Sequence, residues 1–192
     1  MRFIAKTIVT LALGVALGLG ATWGSIERGY GFGGVRAGPW VAWPAMGTEA
    51  ADPYTRAALA RTGELPLGSA VGLRFIARID SEGRALDPAC DYLIAGETAA
   101  ARYWSLAAMD PRGGVIDNRL QQYGLTSSEI VRADDNSFQI TVARDARPGN
   151  WLMLGADTRF VLVLRLYDTV ASATALSLDP TSLPAIRRER CA

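Results

Sequence analysis

The sequence contains no histidine. This removes the usual general base near neutral pH, the commonest metal ligand and every catalytic triad built on imidazole. Lysine is almost missing too: Lys6 stands alone, so nearly all positive charge is arginine, which in an alanine- and glycine-rich chain reads first as genome composition. Cys90 and Cys191 are the only cysteines, too few for a structural zinc site, which normally takes four nitrogen or sulfur ligands. The net charge is only +1, and it turns slightly acidic once Arg2 and Lys6 are assigned to a targeting segment. With no basic excess to grip phosphates, the composition argues against nucleic acid as a main partner.

Arg2 and Lys6 precede an uncharged, largely apolar run from Thr7 to Ile26. About twenty such residues just cross a hydrocarbon core, and positive charge on the N-terminal side alone predicts a cytoplasmic N-terminus with everything after it exported. This predicts a single-pass inner-membrane protein whose C-terminal domain faces the periplasm. Trp23 sits where an interfacial aromatic belongs. A cleaved signal peptide is the alternative, giving a periplasmic protein, although Ala16-Leu17-Gly18 and Gly18-Leu19-Gly20 are imperfect cleavage sites. Gly14 and Gly18 form a small-residue pair that allows two such helices to approach, leaving a homo-oligomer open, but glycine as filler explains them equally simply. The expected organisation is an anchor or signal segment over residues 1–28, a glycine-rich tether without regular structure over 29–38, and one exported domain over 39–192. After the anchor, roughly 165 residues remain, enough for one core.

Asn150 to Asp168 is the stretch the domain is expected to form around. Phe160 to Leu164 is a continuous branched apolar run that suits a strand buried on both faces. Shorter runs supply neighbours: Val71 to Ile79, Asp91 to Ala95, Arg102 to Met109, Glu129 to Arg132 and Phe138 to Val142, with turns at Asp80 to Arg84, Asp110 to Gly114 and Asp134 to Ser137. Asp52, Pro53 and Gly63 punctuate one short helix as N-cap, first-turn proline and C-terminal stop. The expected fold is therefore mainly β, an antiparallel sandwich or jelly-roll-like domain with one short helix, preceded by an N-terminal transmembrane helix.

Candidate chemistry is thin. Trp40 and Trp43, between Pro39 and Pro44, suit either a sugar platform or membrane contact, or an extended strap packed on the domain. Arg56 and Arg61 on the helix suit an anion, or simply solvent. Asp134 and Asp135 lack the spacing of a calcium loop and suit a hairpin turn. Thr126, Ser127 and Ser128 have no base to activate them. If Phe160, Leu162, Leu164 and Leu166 face one side, Arg165 and Tyr167 face the other, to line a concave surface or to pair internally, the arginine with Asp168 or Asp117. In an oxidising exported compartment Cys90 and Cys191 are expected to join, pinning the Arg187 to Arg190 tail.

Asn150-Trp151-Leu152, followed by Phe160 and by Leu164-Arg165-Leu166-Tyr167, resembles the ending of the domain of unknown function 1214 family, in which an Asn-Trp-Leu-Pro segment precedes a strand closing in Leu-Arg-Leu-Tyr. Asp52 to Ala57, Gly63 to Gly68, and Tyr123 to Ser128 ahead of Asp134 to Ser137 resemble its short membrane-anchored members. Met153 stands in place of the family's proline. The resemblance implies a jelly-roll-like domain in a cell-envelope setting, with a protein carrying the companion domain of unknown function 1254 as a candidate partner. It implies no catalytic residue, no cofactor and no metal ligand. Two functions follow as expectations: a non-catalytic binding or assembly module, or a carbohydrate-binding or carbohydrate-active domain using Trp40, Trp43, Trp104 and Trp151 with nearby carboxylates.

Overall fold

A computed structural model describes residues 2–27, 33–62, 66–68, 70–155, 159–169, 179 and 182–191. Helix α1 (Arg2–Glu27) carries the apolar run, with no acid in its first turn. It is long and apolar enough to be a membrane anchor or a signal sequence, and its side chains are exposed. Helix α2 (Pro53–Thr62) starts as the sequence predicts. Asp52 Oδ1 accepts hydrogen bonds from the backbone N–H of Tyr54 at 2.9 Å and Thr55 at 3.1 Å, the N-cap role that explains the start at Pro53.

The rest is mainly β, in two sheets. The larger runs β1 (Val35–Ala37), β2 (Trp40–Ala42), β3 (Gly72–Ala77), β9 (Val161–Thr169), β5 (Ala101–Met109) and β6 (Leu125–Thr126) in that spatial order. The smaller runs β10 (Ala185–Cys191), β4 (Cys90–Gly96), β7 (Phe138–Ala143) and β8 (Asn150–Met153). Trp40, Phe75, Trp104, Leu162, Leu164 and Leu166 of the larger sheet share one core with Tyr92, Ile94, Ile140, Leu152 and Ile186 of the smaller. Strand β9 lies between β3 and β5, and its remaining apolar residues, Val161 and Val163, are buried on the opposite face with Ile76, Trp43 and Met109. The branched run is thus buried on both faces, as its composition requires.

Several expectations are corrected. The piece expected as a tether over 29–38 includes β1, whose backbone pairs Val35 with Ala42 and Ala37 with Trp40, so regular structure begins at Val35 and not at residue 39; residues 29–32 lie outside those described. Trp40, expected either as a platform or in an extended strap packed on the domain, is buried in the core on strand β2, paired with β3. Glu129 to Arg132 is not a strand: the Glu129 carboxylate accepts from the Thr126 N–H and hydroxyl, closing a turn, and only Arg132 bridges to Phe138. Arg187 to Arg190 is no loose tail but part of β10, paired with β4. Asn150 to Asp168 divides between the sheets, Asn150–Met153 forming an outer strand parallel to β7. That sheet is therefore mixed and not wholly antiparallel. The Asp134 to Ser137 segment forms the hairpin turn, with Asn136 at φ 68° and Ala133 N–H donating to the Ser137 carbonyl at 2.9 Å.

Candidate functional site

The expected site residues fall into two groups. Trp40 and Trp104 are core residues, 0% and 2% exposed. Trp40 Nε1–H donates to the Pro184 carbonyl at 2.8 Å, and Trp104 packs on Phe138 with ring centroids 4.8 Å apart. Their indoles face other side chains and are filled from both sides. Trp151 is half-buried, its Nε1–H donating to the Ala143 carbonyl at 3.0 Å and tying β8 to the end of β7. Trp43 is half-buried on the outer face of the larger sheet, among Met46, Ala58, Leu59 and Ile76.

Asn150, next to Trp151, has a role that sequence reasoning missed. Its Oδ1 accepts from the Val131 N–H at 2.7 Å, while its Nδ2 donates to the carbonyls of Val131 at 2.7 Å and Gln139 at 2.9 Å. The side-chain amide imitates a strand neighbour for a segment that has none. Gln122 does the same for β8, donating to the Trp151 carbonyl at 3.2 Å and accepting from the Met153 N–H at 3.1 Å. The Asn-Trp-Leu signature is accordingly a clasp on an edge strand. The only advance signal was an amide at the start of a strand. Ser127 is likewise absorbed in backbone pairing with Trp104, through both its N–H and its Oγ.

Arg165 and Tyr167 share the face of the larger sheet that points away from the core. Arg165 stands opposite Arg74 on β3 and Ser105 on β5, and its Nη2 reaches the Met109 sulfur at 3.7 Å. It does not pair with Asp168, which lies 3.8 Å from Arg102 instead, nor with Asp117, which accepts from the Tyr123 hydroxyl. Tyr167 stands opposite Tyr103, their rings 5.8 Å apart and tilted by 47°. Tyr103 was missed because cross-strand register is invisible in a sequence, although alternation beside buried Trp104 already placed it outward.

The outer face thus has two halves. Around Trp43, Ile76 and Val161 it is backed by Ala58 and Leu59 of α2. At the other end Tyr103 and Tyr167 stand beside Arg165, with Val71 and Tyr103 exposed. Arg74 and Arg165 stand side by side across β3 and β9.

A second concavity, about 710 Å³, is lined by Asp117, Asn118, Arg119, Gln121, Arg144 and Asp145 among others. Asn118 shapes its rim, accepting from the N–H of Leu120 and Gln122 at 3.1 Å each and donating to the Gln122 carbonyl at 2.8 Å. The hydrogen bond to Asp117 raises the Tyr123 phenol above its ordinary value, since losing the proton forfeits that bond beside a carboxylate. No tryptophan lines this cleft. Among the described residues no group of three or more potential ligands is placed to hold a metal.

Cys90 and Cys191 are cross-strand partners at the end of β4 and β10, with Cα atoms 3.9 Å apart and their sulfurs at disulfide distance.

These features define a class: a two-sheet β domain following an apolar helix. Residues 71–171, just over half the chain, match the family described as "Protein of unknown function (DUF1214)", and the chain belongs to that family. No curated protein matches it. Among solved structures, the VPA0106 protein from Vibrio parahaemolyticus is similar over 71% of this chain and 35% of its own, with 16% identity and a TM-score of 0.57, which supports the fold. A putative uncharacterized protein from Burkholderia cenocepacia matches 62% of this chain and 29% of its own, with 22% identity and a TM-score of 0.43. The chain spans about a third of the length of these two proteins.

Proposed function

We propose that the protein is a membrane-anchored, non-catalytic assembly module of the cell envelope, with its β domain facing the periplasm and a protein partner bound on the outer face of the larger sheet. The observation that carries this reading is the end of that face away from α2, where Tyr103, 38% exposed, stands against Tyr167 beside Arg165. Tyrosine and arginine are the residue types that concentrate binding energy at protein interfaces, because they combine large contact area with directional hydrogen bonds. The family resemblance suggests the partner: a separately encoded envelope protein carrying the companion domain of unknown function 1254 is the first candidate.

The test compares wild-type full-length chain, solubilised in detergent from its own cells, with the variant Tyr103→Glu/Tyr167→Glu. The wild type is expected to co-purify with one stoichiometric envelope protein, and the variant to lose it while melting within a few degrees of the wild type. Equal capture by both would put the interface elsewhere.

The carbohydrate reading retains one observation, the cleft in which Asp117 and Asp145 stand near Asn118 and Gln121. Its test is a glycan screen in which Asp145→Asn abolishes binding. None of the four candidate tryptophans lines it, Trp40 and Trp104 being core residues.

A further inference from the structure

We infer that the exposed side of α2 is a membrane-contact surface, on which Arg61 and Arg56 meet anionic phospholipid headgroups beside the anchor. This rests on reading α1 as a retained anchor. The first observation is the junction of the two helices: the Arg61 guanidinium lies 4.7 Å from the centroid of the Trp23 ring. Trp23 stands near the outward end of the apolar run and is 62% exposed, so a spanning α1 places its indole at headgroup level. Arg61 is then at headgroup level as well.

The second observation is the sidedness of α2. Thr55 is buried and Ala58 and Leu59 turn toward the sheet, whereas Pro53, Arg56, Ala60 and Arg61 form the exposed stripe. Its sequence, Pro-Tyr-Thr-Arg-Ala-Ala-Leu-Ala-Arg-Thr, holds two arginines and no acid. Arg56 is held in place by its own contacts, Nε–H donating to the Ala51 carbonyl at 2.9 Å and Nη2 to that of Glu49 at 2.6 Å, which fixes a cation on this side without neutralising it. The third observation is reach. The link from Glu27 to Val35 spans at most roughly 30 Å even if fully extended, so the domain stays within that distance of the outward end of α1. Arginine within a Debye length of an anionic leaflet is attracted to it, by about five-fold in partitioning per charge.

The experiment places the full chain in lipid nanodiscs of phosphatidylcholine alone or with one-third phosphatidylglycerol, and follows hydrogen exchange of the α2 amides. The intact mass of chain extracted from native membranes is measured in parallel. The inference predicts an intact mass that includes α1, and α2 exchange slowed about five-fold or more by the anionic lipid. Arg61→Glu should abolish that slowing and Arg61→Lys should keep it. A mass lacking α1 would overturn the anchor reading and the inference with it. Intact chain whose α2 exchanges alike in both lipids, or alike in wild type and Arg61→Glu, would overturn the contact alone and leave the anchor standing.

Discussion

Among the described residues Asp80 is the one carboxylate buried to 1% exposure, and the turn around it depends on its charge. Burial alone raises its pKa. Hydrogen bonds from the Arg84 N–H at 2.9 Å, the Arg84 Nε–H at 2.8 Å and the Glu82 N–H at 3.0 Å outweigh that effect and hold the carboxyl below the ordinary aspartate value. The folded state therefore binds this proton more weakly than the unfolded one. The stabilisation is fully present above the unfolded value near 4 and is lost as pH falls through the lower folded value. Asp80→Asn should flatten the acid limb of a melting-temperature profile below about pH 4; an unchanged limb would assign that limb to other carboxylates. Asn150 offers a second residue-scale test. Replacing it with alanine removes its three hydrogen bonds and leaves the Val131 segment unclasped, for an expected loss of about 1–2 kcal/mol in urea unfolding.

Two strand pairings carry the predictions at the scale of elements. Gly72 on β3 lies so close to the Leu166 carbonyl that an added Cβ would collide with backbone, and Gly72→Ala should part β3 from β9 at a loss of about 2–3 kcal/mol in the same assay. Cys90 and Cys191 are 101 residues apart in sequence, so a bond between them removes up to about 4 kcal/mol of unfolded-chain freedom. Reductant should lower the urea midpoint accordingly, and labelling of untreated exported protein should find no free thiol. How legible each element was follows from where its instructions lie. Strand β9 was readable because Phe160 to Leu164 carries branched apolar residues without interruption, and α2 because Asp52 and Pro53 are local signals. Strand β10 was not, because Arg187 to Arg190 reads as a solvated tail. Arg187 and Arg190 face outward on an edge strand, where charge discourages pairing with another chain, while Ile186 enters the core and Arg188 turns inward over the Tyr92 ring beside Asp80. The parallel direction of β8 was equally hidden, since a four-residue strand says nothing about which way its neighbour runs. Of the candidate site, Arg165 and Tyr167 were legible by alternation. Tyr103 needed the register, and the sequence offered no way to tell that Trp40 and Trp104 would fill the core while Trp43 would not.

At the scale of the whole molecule, the chain combines an exposed apolar helix, a two-sheet domain, and a sheet face that α2 backs at one end. The proposal adds a partner held at a membrane. The central claim is assembly, and native mass spectrometry of the full chain released from its own membranes in detergent tests it most directly. The account predicts a complex in which one 20.5 kDa chain is accompanied by a second, different polypeptide in fixed ratio. A spectrum holding only the bare 20.5 kDa chain, at concentrations where the membrane-derived sample is otherwise intact, would contradict it.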